Sequence, residues 1–176
     1  MIETERLILR PWEEDDAEAL FKYASDPDVG PPAGWPQHPS VEFSRKIIRT
    51  VFSAPEIYAV VLKETGEPIG SCGIMFPDVL PEGEEKYSEA ELGYWIGKPY
   101  WGRGLIPEAV HALVSRCFNQ LGLNALTCNY YDGNHKSRRV CEKSGFKYHH
   151  SDTGVTSPLG DKRTAHFYVL LKENFH

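Results

Sequence analysis

Between residues 89 and 122 the hydrophobic period of this chain changes once, and that change confines the fold. In Glu89–Gly97 the residues alternate: Ala90, Leu92, Tyr94 and Ile96 share one face, and Glu89, Glu91, Gly93 and Trp95 share the other, as in a β-strand. Beyond Pro99 the spacing becomes helical. Ile106, Ala109, Val110, Leu113, Val114, Cys117, Phe118 and Leu121 form one continuous apolar stripe that Gly122 closes. Gly102-Arg103-Gly104 lies between the two patterns. A strand feeding a long one-sided helix needs a sheet to receive the stripe, which makes this an α/β domain.

The remaining segments fill in that domain. ERLILR at 5–10 is a short strand ended by Pro11, and the acidic run Glu13–Asp16 suits a helix N-terminus. Ala17, Leu20, Phe21 and Ala24 give that helix one apolar face before Pro27. The stretch 26–39 is too rich in Pro and Gly for regular structure. Ser40 caps a second helix carrying Phe43, Ile47, Ile48 and Val51. Strands at 57–62 and 68–76 flank a hairpin turn, and the acidic insertion at 77–88 is expected as an exposed loop. A strand at 124–130, a helix at 134–144 ended by Gly145, and strands at 146–150 and 164–171 follow, with a polar loop at 154–161. The order β-α-α-β-β-β-α-β-α-β-β describes a mixed α/β domain around a central sheet. A chain of 176 residues reads as a single domain, 1–176.

Composition narrows the function. Nineteen Lys and Arg against twenty-five Asp and Glu give a net charge of −6, which argues against a nucleic-acid partner and mildly favours cationic ones. No apolar run approaches the roughly 20 residues that cross a bilayer, so no membrane association is expected. The acidic start lacks a secretory apolar core. Cys72, Cys117, Cys128 and Cys141 form no CxxC pair, and adjacent His149 and His150 would point to opposite faces of a strand. We expect no metal site and a cytoplasmic location.

The chemistry centres on ELGYWIGKPYWGRGLIPEA at 91–109. The first amides of a helix lack intrahelical acceptors and form an anion site, and glycines there admit a ligand close to the backbone. Pro107 lacks only an N–H that the helix would not have used. A tight turn with no ligand is the plainer alternative. The segment is not a dinucleotide fingerprint, because Pro107 stands where GxGxxG needs its third glycine, and no GxxxxGK[ST] occurs. A second cluster begins at Asn134, which suits a helix cap, and places Ser137 and Arg138 in the first turn, within reach of a ligand.

Together, ELGYWIGKPYWGRGLIPEA and the later N-x-x-S-R-R-V-x-E-K-x-G-F (134–146) resemble the GNAT superfamily of acetyl-CoA-dependent N-acetyltransferases, most closely the branch of bacterial ribosomal-protein N-terminal acetyltransferases. The resemblance spans nearly the whole chain. It implies a GNAT-like mixed sheet flanked by helices and splayed between parallel strands 89–97 and 124–130. It implies that the pantetheine arm of acetyl-CoA pairs with the first of these beside Trp95, Ile96 and Gly97. The pyrophosphate would rest on the amides of Trp101, Gly102, Arg103, Gly104, Leu105 and Ile106, with Asn134, Ser137 and Arg138 reaching the coenzyme from the other side. This chain departs from the family pattern by Trp101 and Ile106 at the ends of the cradle. It also has Cys141 where some relatives carry a Tyr that serves as general acid, and Asn129 where the same relatives carry Glu.

Acetyl transfer to an amine needs a proton acceptor, a polarised carbonyl and a partner for the leaving thiolate. Glu91 is the candidate base, the backbone near Trp95–Ile96 the candidate oxyanion donor, and Ser137 or a water the candidate acid. Cys141 has no His or Asp placed by sequence to activate it, so direct attack in a ternary complex is favoured over an acyl-cysteine. Trp35, Gln37 and His38 are the candidate acceptor contacts, while Tyr94, Trp95, Tyr100 and Trp101 can equally be core. A protein or peptide N-terminus leads as acceptor, ahead of a small amine. A non-catalytic acyl-CoA-binding or regulatory domain is the alternative. A homodimer is compatible with the sequence but not specified by it.

Overall fold

The computed structural model describes residues 1–79, 82–83 and 86–176. Its elements are β1 (Ile2–Glu3), β2 (Leu7–Arg10), α1 (Ala17–Ala24), α2 (Gly30–Ala33), α3 (Val41–Thr50), β3 (Ile57–Leu62), β4 (Glu67–Met75), β5 (Glu89–Ile96), α4 (Leu105–Asn119), β6 (Ala125–Tyr131), α5 (His135–Lys143), β7 (Lys147–Thr156) and β8 (Lys162–Leu171). The strands form one eight-stranded sheet in the order β1-β2-β3-β4-β5-β6-β8-β7. Every neighbouring pair is antiparallel except β5–β6, which is parallel. The mixed α/β class and the parallel centre agree with the sequence reading.

Strand alternation divides the core in two. Tyr58, Val60 and Leu62 of β3 join the apolar stripe of α4, whose Ala109, Val110, Leu113 and Cys117 have no exposed surface. Ala59 and Val61 turn to the opposite face, where Ala17, Leu20 and Ala24 of α1 and Ile48 of α3 cover them. Ser40 caps α3 as expected, its hydroxyl accepting the Phe43 N–H at 3.1 Å.

Three expectations need correction. The Pro-rich stretch holds one helical turn, α2, because Pro31 and Pro32 fall at its first positions, where a missing N–H costs nothing, and Gly34 at φ 90° ends it. Residues 2–3 add a strand opposite Ile8 and Leu9. Finally, β7 and β8 are ten residues each, so the expected loop at 154–161 shrinks to the turn after Thr156. Two register irregularities, one of them between Asp152 and Val155, let the left-handed Gly154 sit inside a strand. The polar residues that suggested a loop are the solvent face of an edge strand. In the acidic insertion, Asp78, Val79, Glu82 and Lys86 are exposed, whereas Leu80, Pro81, Glu84 and Glu85 lie outside the described residues.

β4 holds β5 in place. Gly70 faces Ile96, and a Cβ there would lie 2.3 Å from the Trp95 carbonyl oxygen and 2.9 Å from the Ile96 Cα, both backbone atoms that cannot swing aside. Gly70→Ala should therefore lower the unfolding free energy by about 1–3 kcal/mol, the usual cost of overpacking. An unchanged urea midpoint would contradict this placement of β5.

Candidate active site

β5 and β6 pair only from Glu89↔Ala125 to Leu92↔Cys128. Beyond that point β5 continues to Ile96 and β6 to Tyr131 without further pairing to each other. Each is held on its outer side, β5 by β4 up to Gly70↔Ile96 and β6 by β8 up to Tyr131↔Ala165. The sheet thus opens as a wedge between two strands of one domain. A cleft of about 880 Å³ occupies the opening, lined by Tyr94, Trp95 and Ile96 of β5, the segment 100–102, the start of α4 and the first turns of α5.

Because β5 and β6 are parallel, the helices that follow them both begin at this open end. Gly102 and Gly104 take left-handed conformations, φ 72° and 73°, which turn the chain from β5 into α4. Among the described residues, no backbone acceptor meets the N–H groups of residues 102–106, so they are available to an anion, whereas the Trp101 N–H, expected among them, donates to the Lys98 carbonyl at 3.2 Å. The turn is braced from outside. Glu108 accepts from the Arg6 Nε at 2.7 Å, the Arg6 backbone N–H at 2.9 Å and the Thr4 hydroxyl at 2.6 Å, while Arg6 also donates to the Arg103 carbonyl at 3.0 Å. Those contacts hold the Glu108 carboxyl below its usual range despite partial burial. Ile106 is 4% exposed, so its bulk is taken up by the core.

At the closed end of the wedge the two faces differ. Glu91 and Asn129 share one face, where the Asn129 Nδ2 donates to the Glu91 Oε1 at 2.8 Å. On the other face the Tyr94 hydroxyl lies 3.0 Å from the Ser137 Oγ and 3.4 Å from the Cys141 Sγ, and the Cys141 and Cys128 sulfurs are 3.0 Å apart.

The sequence profile of the Acetyltransferase (GNAT) domain matches residues 6–147. The chain belongs to the GNAT acetyltransferase family. It is 31% identical over 177 residues to the uncharacterized N-acetyltransferase p20 of Bacillus licheniformis, a match that covers 98% of this chain and 96% of that protein. Among solved structures, the GNAT-family acetyltransferase of Bacillus anthracis superposes with a TM-score of 0.82 at 25% identity over 98% of both chains. The ribosomal-protein-S5-alanine acetyltransferase of Vibrio fischeri shares the fold alone, with a TM-score of 0.76 at 17% identity over 99% of this chain and 97% of that one.

Within this GNAT framework the expected site residues are distributed unevenly. Trp95, Ile96, Trp101, Gly102, Gly104, Leu105, Ile106, Asn134 and Ser137 border the cleft. Gly97 lies behind it, where a Cβ would meet the Tyr23 ring at 2.5 Å, and Arg103 is exposed above the Tyr100 ring. Asn134 also caps α5, its Oδ1 accepting the Ser137 N–H at 3.3 Å. Arg138 faces a separate groove behind α5 and pairs with Glu142 at 2.8 Å. One helical step turns it away and brings Arg139 to the cleft, together with Lys136 and Lys143. The spacing 136, 139, 143 was readable as one helix face, but nothing in the sequence said which face met the cleft. Lys136 stands 3.3 Å from the Trp101 ring centroid, and the Trp101 Nε1 donates to the Ile96 carbonyl at 3.0 Å. Asn129 and Tyr94 were passed over because their partners lie on other elements.

The three candidate acceptor residues also separate. Trp35 packs edge-on against Trp95 with ring centroids 5.7 Å apart. Gln37 is exposed and donates to the Ser25 carbonyl at 2.9 Å. His38 is buried beneath the loop, its Nδ1 2.7 Å from the Ser44 hydroxyl. Burial pushes the His38 imidazole down to about 4. Its folded value lies below its unfolded one, so the unfolded chain binds the extra proton. This contribution to stability is complete above about pH 6.5 and is lost as pH falls toward 4, by at most about 3 kcal/mol. His38→Asn, which keeps a partner for Ser44, should flatten that part of the stability–pH curve measured by urea unfolding.

Proposed function

We propose that this chain transfers the acetyl group of acetyl-CoA to a primary amine, with a protein or peptide N-terminus favoured over a small amine. The observation that carries the reading is the wedge itself, which joins an unpaired strand edge, free helix amides and a basic rim in one cleft. The cleft's groups suit a ligand with an amide-bearing arm and phosphates: the N–H and C=O of Tyr94 and the N–H of Ile96, which alternate away from β4, for the arm, the amides of residues 102–106 for a pyrophosphate, and Lys136, Arg139 and Lys143 for further negative charge. When bound, acetyl-CoA supplies the activated acyl group.

The chain's residues then have separable tasks. Backbone N–H groups near Trp95–Ile96 polarise the thioester carbonyl. Glu91, held by Asn129, takes a proton from the acceptor ammonium on its face of the sheet and so frees the lone pair that attacks. Ser137 faces the leaving sulfur from the other. Cys141 is 1% exposed, and its polar neighbours, the Cys128 thiol and the Tyr94 hydroxyl, include no base. Direct attack of the amine on the thioester therefore remains the favoured course. Trp35 and Trp95 form an apolar wall on the Glu91 face, suited to a short N-terminal side chain. The putative ribosomal N-acetyltransferase YdaF of Bacillus subtilis, 39% identical over 75 residues that make up 43% of this chain and 39% of that protein, supports a protein acceptor. The non-catalytic alternative draws on the absence of both Glu at 129 and Tyr at 141, but Asn129 holds the Glu91 carboxylate beside it.

Acetyl-CoA at 100 times its dissociation constant should stabilise the fold by roughly 2.7 kcal/mol. Free adenine nucleotide, which lacks the arm, should do so less in a thermal melt. No melting shift at millimolar acetyl-CoA would refute the coenzyme assignment.

Gly104→Val and Glu91→Gln separate binding from chemistry. The first puts a side chain at the left-handed turn beside the amides and should weaken coenzyme affinity by calorimetry. The second should leave affinity nearly intact and lower turnover on a panel of N-terminal peptides and amines by about 10²–10⁴-fold, the usual worth of a positioned base. Part of that loss should return at high pH, where more of the amine is already neutral. Parent-like turnover of Glu91→Gln at every pH would place the base elsewhere.

A further inference from the structure

The closed end of the wedge holds a buried hydroxyl with no task in the scheme above. The Tyr94 Oη lies 2.9 Å from the Ser137 carbonyl oxygen and 3.0 Å from the Ser137 Oγ, and both residues line the cleft. A phenol carries one proton and two lone pairs, so it can donate to only one of these neighbours at a time. If it donates to the carbonyl, the Ser137 hydroxyl can turn its own proton back to the Tyr94 Oη and leave none for the cleft. If it donates to Oγ, the Ser137 proton cannot lie on that line and is free to face the cleft. An anion in the cleft favours the second arrangement, because only that one has a proton to share with it. Burial holds the Tyr94 phenol well above the usual tyrosine range, so it stays a donor at any working pH.

We propose that Tyr94 is a positioning residue: by donating to the Ser137 Oγ it turns the Ser137 proton onto the departing sulfur. The inference rests on the transferase reading and deepens it. The acceptor ammonium first gives one proton to Glu91, which passes it to water. The freed lone pair attacks the thioester carbonyl and forms the C–N bond, the C–S bond breaks with its electron pair on sulfur, and the second nitrogen proton leaves by the same route through Glu91 to water. The thiolate leaves as a hydrogen-bonded anion and takes its proton from solvent on release. Tyr94 and Ser137 keep their own protons throughout. Their chain of two hydrogen bonds strengthens the donor that the sulfur meets. A strand supplies this group from the face opposite Glu91, since residues three apart in a strand point to opposite sides.

The test needs no acceptor for its first part. CoA bound to the parent, to Tyr94→Phe and to Ser137→Ala is titrated by thiolate ultraviolet absorbance, read as a difference from the CoA-free protein. In the parent the bound thiol should ionise about 1–2 pH units below free CoA, the equivalent of a 10- to 100-fold preference for the anion from a hydrogen bond to a charged group. Both variants should return it to near the free value. In turnover, Tyr94→Phe should lower kcat by a similar factor with the KM for acetyl-CoA within about twofold. That deficit should shrink to a few-fold with the acetyl selenoester of CoA, whose leaving group is far more acidic and gains little from a donor.

Equal deficits with both esters, or bound CoA that titrates identically in parent and Tyr94→Phe, would overturn the proposal and leave the transferase reading standing. Failure of the parent to bind CoA would overturn both. Should Tyr94→Phe fold poorly, Ser137→Ala at its half-buried helical position carries the same titration.

Discussion

The structure turns on the parting of β5 from β6 after Leu92 and Cys128. Inside a closed sheet, unpaired N–H and C=O groups would cost about 1–3 kcal/mol each. Here they open onto a cleft, where solvent or an extended ligand can meet them. The opening survives because the outer ladders hold both strands, with glycine at 70 letting β4 press against the backbone of Trp95 and Ile96. Two parallel strands also deliver their following helices to the same end of the sheet, the place where open α/β sheets take ligands. One irregularity in pairing thus aligns a strand edge, a helix N-terminus and the first turns of a second helix.

Charge is arranged locally against the chain's overall sign. The protein carries −6, yet Lys98, Lys136, Arg139 and Lys143 rim the cleft. At physiological salt, interactions beyond about 8 Å are largely screened, so an anion in the cleft responds to this rim more than to the distant acidic surface. Of the four, Lys98 is already engaged by Asp28, whose carboxyl it holds below the usual range. Lys136 is steadied over the Trp101 ring, and Trp101 is tied to the Ile96 carbonyl, so the rim and the strand edge share a hinge of contacts.

The closed end divides chemistry between two faces of one strand. Glu91 lies on the side of α1, α2 and Trp35, and Tyr94 on the side of α4 and α5. Under the proposed reaction, acceptor and leaving group would be met by separate groups on opposite faces. The buttress under Trp35 is likewise remote in sequence: Arg163 of β8 donates to the Pro31 carbonyl at 2.8 Å and sets α2 beside Tyr131.

Much of this was legible in the chain. The change of period at 97–105 set β5, its turn and α4, because burial of one face imposes 2.0 and 3.6 as the only workable spacings. Alternation alone put Glu91 and Tyr94 on opposite faces, and the glycines with Pro107 marked the turn that leaves the first amides of α4 unpaired. The misjudged pieces were those whose cause lies elsewhere in the fold. Polar residues at 154–161 looked like a loop because an edge strand needs no buried face, and α2 forms in a Pro-rich stretch where β6 and β8 support it. Arg138 was expected at the cleft that Arg139 borders instead, because a helix face has no meaning until something packs against it. The same holds for the Asn129–Glu91 pair and for Tyr94 against Ser137. Local sequence determined the elements, their faces and the turn into α4, since those follow from short-range sterics and periodic burial, and the family resemblance put the splay between 89–97 and 124–130. Only the tertiary structure decided at which residues the pairing stops and which side chains meet there, because the meetings join groups 38 and 43 residues apart.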